Sequence, residues 1–124
     1  MPVIGFDERP VFTGQSINTS TYTYSTEGWI SRKSSDEIML QFKLATLTAT
    51  SLTVRLEGKS IAMSAVASAN SEASLFCKTY TAKHNIGTVE RIQTKAAKVR
   101  LGALIDINAS PNNVYANLIF IEKR

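Results

Sequence analysis

Cysteine and histidine are nearly absent from this chain of 124 residues, which has one of each, Cys77 and His84. A single cysteine excludes an intrachain disulfide and with it a disulfide-stapled secreted scaffold, so Cys77 is interpreted as a small buried hydrophobe. Zinc sites draw on several Cys and His ligands, and no carboxylates cluster to replace them. We therefore expect no metal and no other cofactor.

Catalytic sets are also missing. A Ser-His-Asp or Cys-His arrangement would have to use His84, which lies in a polar run and is interpreted as a solvated loop residue. The six glycines are scattered, so no phosphate-cradling loop is formed. No nucleophile, base and orienting group occur together, and we expect a protein that is not an enzyme.

Long apolar runs are lacking as well. No stretch reaches the ~20 apolar residues of a membrane span. The first residues lack the basic start and apolar run of a signal peptide. These absences predict a protein that is made and kept in a reducing cytoplasm and has no membrane partner.

Serine and threonine are abundant, at 26 of 124 residues. Threonine favours strands and serine favours turns, which argues against a helical bundle. Strict apolar alternation predicts strands at 38–44, 52–56 and 98–107. The short link between the first two predicts a hairpin, with a turn following at 57–59.

The last run, 114–121, has apolar residues on both faces, which predicts a strand covered on both sides. Weaker strands are predicted near 21–30, 61–67, 74–80 and 88–94. About eight strands at this spacing predict an all-β fold, an antiparallel β-sandwich or jelly roll. A short helix or turn near 94–97 is the local alternative, since 95–98 contains good helix formers.

The first seventeen residues differ from the rest. Apolar side chains alternate there with prolines and glycines that interrupt a regular element. We predict an extended N-terminal arm at 1–17, which buries its side chains on another surface, and a single sandwich domain at 18–124. The alternative is an edge segment packed on its own domain.

Charge and aromatic residues suggest two surfaces. The net charge is +4, and the excess lies in the second half, where Lys95, Lys98 and Arg100 form a basic patch. Such a patch suits nucleic acid or an acidic protein, or is simply a solvated strand face. Trp29 is interpreted as a core residue. The tyrosines are candidates for a sugar-stacking platform or a protein interface.

Several segments carry a resemblance to a known family. They are residues 25–32 (STEGWISR), 36–42 (DEIMLQF), 51–58 (SLTVRLEG), the late strand 99–107 and the ending 113–118 (NVYANL). Together they resemble the small β-sandwich virion proteins of tailed bacteriophages, with a tryptophan-containing strand, a polar turn, an alternating strand and a strand ending in Glu-Gly. The likeness lies in this pattern and not in an invariant motif.

The resemblance implies a structural virion protein, most simply a capsid decoration (cement) protein that binds major capsid subunits and its own copies, often as a trimer. A phage neck or tail component is the alternative within that class, and a carbohydrate- or nucleic-acid-binding module lies outside it. The expected partner-binding residues are apolar or aromatic and lie near the two ends of the chain: Ile4, Phe6, Val11, Phe12, Tyr115, Phe120 and Ile121.

Overall fold

The computed structural model describes residues 4–32, 35, 37–59, 73–81, 86–94, 96–107 and 109–123. The predicted strand at 61–67, His84 and Lys95 lie outside these residues. The described residues form nine strands: β1 Ile4–Ser16, β2 Thr23–Tyr24, β3 Ile30–Ser31, β4 Glu37–Leu44, β5 Leu52–Lys59, β6 Ala73–Tyr80, β7 Ile86–Gln93, β8 Lys98–Ile105 and β9 Asn113–Lys123.

The strands form two antiparallel sheets. Sheet I has the order β1-β9-β4-β7, and sheet II has the order β2-β8-β5-β6, with β3 also paired to β8. Most consecutive strands therefore belong to opposite sheets, and their connections cross the ends of the sandwich. The predicted fold class, an antiparallel β-sandwich with a jelly-roll-like order, is confirmed.

The core lies between the two sheets and follows the alternation of the sequence. Every second residue of β4, β5 and β8 points inward, because successive side chains of a strand face opposite sides. From sheet I the core takes the buried residues Phe12, Ile38, Leu40, Phe42, Leu44, Val114, Ala116, Leu118 and Phe120, and from sheet II it takes Leu52, Val54, Leu56, Tyr80, Val99, Leu101, Ala103 and Ile105. The predicted inner faces of these strands are confirmed.

The predicted hairpin between β4 and β5 is wrong. β4 pairs with β7 and β9, whereas β5 pairs with β6 and β8 in the other sheet. The link at 45–51 crosses from one sheet to the other and buries Leu47 and Ala49 at the end of the core. A link with its own buried side chains acts as part of the core and not as a tight turn.

Asn112 holds that crossing link in place. Its side-chain Oδ1 accepts hydrogen bonds from the backbone N–H groups of Thr48 and Ala49, both at 2.9 Å. Its Nδ2 donates to the carbonyl oxygens of Ile17 at 2.8 Å and Ala109 at 2.6 Å. One fully buried amide thus satisfies four backbone groups from three loops at the same end of the sandwich.

The structure also corrects the predicted arm at 1–17. From Ile4 to Ser16 the chain is an edge strand paired with β9, and Val11, Phe12 and Ile17 are buried in the core of its own domain. The breakers do not end the strand, because the register shifts next to Pro10 and Gly14 absorb them as bulges. Gly14 adopts a positive φ of 69° that other residues rarely adopt.

Two smaller expectations are wrong, and a local alternative is narrowed. The predicted turn at 57–59 is the continuation of β5, and Cys77 is exposed on β6. No helix forms among the described residues near 94–97, where Ala96 and Ala97 precede β8. The predicted strands near 74–80 and 88–94 are confirmed as β6 and β7, and the run near 21–30 contains only the short β2 and β3.

Nothing in the described residues is a helix long and apolar enough to cross a membrane.

Replacing Asn112 by Ala should destabilise the sandwich, because four backbone groups lose their partner in a buried site. We expect the free energy of unfolding to fall by about 2–4 kcal/mol, measured by urea denaturation. Asn113→Ala is the matched control, since the side chain of Asn113 is only half-buried at the start of β9, and a change within about 0.5 kcal/mol is expected. Equal losses in the two variants would contradict the role of Asn112.

Phe12 and Phe6 distinguish an edge strand from a free arm. Phe12 is buried, so Phe12→Ala should lower the free energy of unfolding by about 3–5 kcal/mol. Phe6 is 67% exposed, so Phe6→Ala should change it by less than about 0.5 kcal/mol in dilute solution. Denaturant unfolding measures both changes. A Phe12→Ala variant as stable as the wild type would contradict the edge strand and support the predicted free arm.

Candidate functional site

The outer face of sheet II has an unusual concentration of charge. Arg55, Lys59, Lys98 and Arg100 project from β5 and β8 on this side, because the residues two apart on each strand share a face and Lys59 is paired with Lys98. Glu57 is the one carboxylate on the face among the described residues. We call this surface, together with Tyr22, Tyr24 and Trp29 that lie over it, the cationic face.

Glu57 is the centre of the cationic face. It is 1% exposed although it points away from the core, because larger side chains cover it. One carboxylate oxygen accepts from Nε of Arg100 at 2.7 Å, and the other accepts from the Tyr24 hydroxyl at 3.0 Å and from Arg55. Both oxygens of a buried charge are thus hydrogen-bonded, as its desolvation requires.

These contacts set the protonation of the cluster. Burial raises the pKa of the Glu57 carboxyl, but the hydrogen bonds from Arg100, Arg55 and Tyr24 outweigh burial and hold that pKa below its usual range. Burial and the hydrogen bond to Glu57 raise the pKa of the Tyr24 hydroxyl. The carboxylate is therefore ionised and the phenol protonated at neutral pH.

Aromatic rings cover the arginines. The Arg55 guanidinium lies 4.2 Å from the ring centroid of Tyr22, and the Arg100 guanidinium lies 3.7 Å from Tyr24 and 4.4 Å from Trp29. The Lys59 ammonium lies 4.5 Å from the Trp29 ring. Each cation gains a favourable contact with the ring quadrupole, and the side chains are held in fixed positions.

Gly102 makes room for the tyrosines. A Cβ at this position would lie 2.8 Å from an atom of the Tyr24 ring and 3.2 Å from the Tyr22 ring. Both rings, whose centroids are 6.2 Å apart, therefore rest directly on the backbone of β8. The glycine inside a predicted strand marks this close approach.

The outer face of sheet I is different. Three of the large apolar side chains most exposed in the described residues lie on it: Phe6 at 67%, Val89 at 58% and Tyr115 at 44%. Its described charges are Glu8, Glu37, Lys43 and Arg91, which sum to zero, and Arg91 pairs with Glu37 at 3.0 Å. We call this surface the neutral face.

The neutral face contains a depression. A cavity of ≈ 470 Å³ opens on it, lined by apolar and polar side chains that include Pro10, Gln41, Lys43, Val89, Tyr115 and Asn117. Asn117 bridges two strands by donating to Glu8 at 3.2 Å and to Gln41 at 3.4 Å. The surface thus combines apolar contact area with amides, as protein interfaces do.

The structure separates the residues predicted to bind partners. Phe6 and Tyr115 are exposed on the neutral face, and Ile121 lies on the same side but is buried. The predicted role of Val11, Phe12 and Phe120 is wrong, because all three are buried in the core and cannot contact a partner. Ile4 lies in β1, and its side chain is outside the described residues.

The structure also revises the predictions for the basic patch and for Trp29. Lys98 and Arg100 belong to the cationic face, whereas Lys95 lies outside the described residues. Trp29 is half-buried against Lys59 and Arg100 and is not a core residue. Sequence reasoning missed Arg55, Glu57 and Lys59, although their alternation with Val54 and Leu56 in β5 places all three on one side.

In the part of the chain that is described, no three His, Cys, Asp or Glu side chains are grouped so that they could hold a metal ion.

No family model matches the chain, and no curated protein does. Solved structures match in fold. The SPBc2 prophage-derived protein YomS is 8% identical, with 97% of this chain and 96% of that chain covered and a TM-score of 0.58. Murine APRIL is 7% identical, with 94% and 99% covered and a TM-score of 0.56.

A protein of Bacillus endospore appendages, described as forming disulfide-linked pili, is 8% identical, with 98% and 88% of the two chains covered and a TM-score of 0.50. Identities this low show a shared antiparallel β-sandwich and no more.

Acid should weaken the sandwich through Glu57. Its pKa is below the usual 4.5, so its stabilising contribution is complete above that pH and is lost as pH falls through the lowered value. Glu57→Gln should lower the free energy of unfolding by about 2–3 kcal/mol at neutral pH, because two arginines lose their charged partner. Below pH 4.5 its stability should change less with pH than that of the wild type.

Urea unfolding at about pH 7 and about pH 3 measures both effects. Glu27→Gln is the matched control: Glu27 meets Arg9 at 3.6 Å with both side chains well exposed, and a loss below about 1 kcal/mol is expected. Parallel pH profiles for the wild type and Glu57→Gln would contradict the assignment.

Proposed function

We propose that this chain is a non-enzymatic structural protein of a phage particle, most specifically a capsid decoration protein, that assembles with its own copies through the neutral face. The observation that carries the proposal is the concentration of exposed apolar side chains on one sheet face, represented by Phe6, Val89 and Tyr115. Exposed apolar side chains that gather on one face of a sheet, and are not scattered singly, mark a surface for binding.

Two further observations support a role in a phage particle. The sequence pattern resembles small phage virion sandwiches, and a prophage-derived protein shares the fold over nearly the whole of both chains. A protein that acts by assembly needs a surface that is complementary to its partner, and it needs no catalytic groups. The virion, reached after synthesis in the host cytoplasm, is the location that follows from this proposal, and the major capsid protein is the expected second partner.

The charges of the neutral face favour a second copy as its occupant. Two identical surfaces that meet bring like charges together, which is costly unless the charges balance. Here Glu8 and Glu37 are balanced by Lys43 and Arg91. The cationic face has no such balance and would repel its own copy.

The size of the neutral face is also sufficient. Four strands at ~4.8 Å spacing and eight residues at ~3.3 Å give a flat area of about 500 Å². Side chains that project from the sheet increase this area toward the ~800 Å² per partner of a standard interface. A homo-oligomer follows. Contact between two neutral faces gives a dimer, whereas the trimer that the resemblance to decoration proteins implies would place the neutral face against a different surface of the next copy.

Size-exclusion chromatography with light scattering tests the assembly. We expect the wild type to be an oligomer and the double variant Phe6→Ser/Val89→Ser to be a monomer with unchanged far-ultraviolet circular dichroism, because both side chains lie on the proposed interface and outside the core. Ile107→Ser is the matched control, since Ile107 is 53% exposed in the loop after β8, and this variant should remain oligomeric.

A wild-type chain that is monomeric at the highest concentration reached would overturn the proposed interface, as would an Ile107→Ser variant that dissociates equally. The virion role is tested separately on particles purified from the host that carries the gene. Mass spectrometry should find the chain in amounts comparable to the main capsid protein, and its absence from intact particles would overturn that role.

A further inference from the structure

We infer that the cationic face is a binding site for a single-stranded nucleic acid, a surface separate from the neutral face and independent of the role proposed for it. The juxtaposition that points to it is four cations and three aromatic rings on one sheet face, with Glu57, the one carboxylate of the face in the described part of the chain, buried beneath them. The inference rests on the arrangement of these side chains, which the sequence distributes over β5, β8 and the segment before β4.

In the part of the chain that the structure describes, the exposed charges of this face are of one sign. Glu57 is 1% exposed, whereas the side chains of Arg55 and Arg100 are 33% and 22% exposed and Lys98 is exposed. Among the described residues, no carboxylate lies within ion-pair distance of the Lys59 or Lys98 ammonium. The exposed charges that these described residues offer to a ligand are therefore all positive, and the positive potential attracts phosphates.

The cations repeat at a regular interval. Lys59 pairs with Lys98, Arg100 stands two residues further along β8, and Arg55 pairs with Gly102 two residues beyond that. Two residues of a strand advance ~7 Å, so the positive charges form a ladder along β8. Such a ladder follows a flexible backbone with one negative charge per nucleotide.

The aromatic rings decide in favour of nucleic acid over an acidic protein. Tyr22 and Tyr24 stack on each other, and Arg55 covers Tyr22. Bases stack on tyrosine, tryptophan and guanidinium planes, and stacking contributes about 1–3 kcal/mol per base. An acidic peptide would use the cations but gain nothing comparable from the rings.

The cluster is also rigid before any ligand binds. Glu57 accepts hydrogen bonds from Arg55 and Arg100, which orders both side chains. The absence of a side chain at Gly102 lets the two tyrosine rings pack directly on the backbone of β8. Side chains that are already ordered lose little rotamer entropy on binding.

Trp29 supplies a direct measurement. It is the only tryptophan in the chain, and it touches Lys59 and Arg100, so its fluorescence reports on this face alone. Titrating the full chain with a single-stranded oligonucleotide at low salt should quench the emission with saturation. The logarithm of the affinity should fall with the logarithm of salt concentration at a slope of about −2 to −3, as expected for three or four neutralised phosphates.

Lys59→Ala/Lys98→Ala should bind at least tenfold more weakly, with a slope shallower by about 1.4. Arg9→Ala/Lys78→Ala is the matched control, because it removes the same charge from sites outside both the ladder and the neutral face and should bind as the wild type does. Circular dichroism of all variants excludes unfolding as the cause.

Three results would overturn the inference. They are no quenching at the lowest salt, an equal loss of affinity in the two double variants, and binding of polyglutamate as tight as that of the oligonucleotide. The second would show a response to net charge alone, and the third would assign the face to acidic proteins. A duplex that binds more tightly than the single strand would likewise contradict the stacking argument.

Discussion

The Glu57 carboxylate lies on the solvent side of sheet II and is nevertheless removed from water. This buried charge determines the positions of the side chains that donate hydrogen bonds to it. A desolvated carboxylate is tolerated only with full hydrogen bonding, which Arg55, Arg100 and Tyr24 supply together. Those side chains come from three strands, so the carboxylate fixes the relative positions of β2, β5 and β8. The missing side chain of Gly102 is what allows the rings to close over the site.

This arrangement makes the two outer faces of the sandwich different in kind. On sheet II the charges are positive and interleaved with rings, whereas on sheet I they balance and lie among exposed apolar side chains. The same core supports both faces, because the period of two that sends Leu56 and Leu101 inward sends Glu57 and Arg100 outward. A single small domain can therefore present two surfaces with distinct partners.

Local patterns in the sequence predicted what depends on neighbours along the chain. The alternation in β4 and β8 was sufficient for the strands and their inner faces. It could not show that the 45–51 link changes sheets, nor that β1 passes Pro10 and Gly14 by bulging, since both depend on what the segment packs against. The cationic face was missed for the same reason. Only Lys98 and Arg100 were predicted, as part of a basic patch, and the other members are distant from them in sequence: Tyr22, Tyr24, Trp29, Arg55, Glu57 and Lys59.

The two proposed surfaces have opposite dependences on salt, which follows from their charges. Association through the neutral face depends on apolar burial and gains little from long-range attraction, so added salt should leave it intact or strengthen it. Binding at the cationic face releases counterions and weakens steeply. If copies meet through their neutral faces, the cationic faces point outward from the assembly, and a strand that spans two of them gains affinity from multivalency. Assembly would then increase nucleic-acid binding without any new contact, although each surface stands on its own residues.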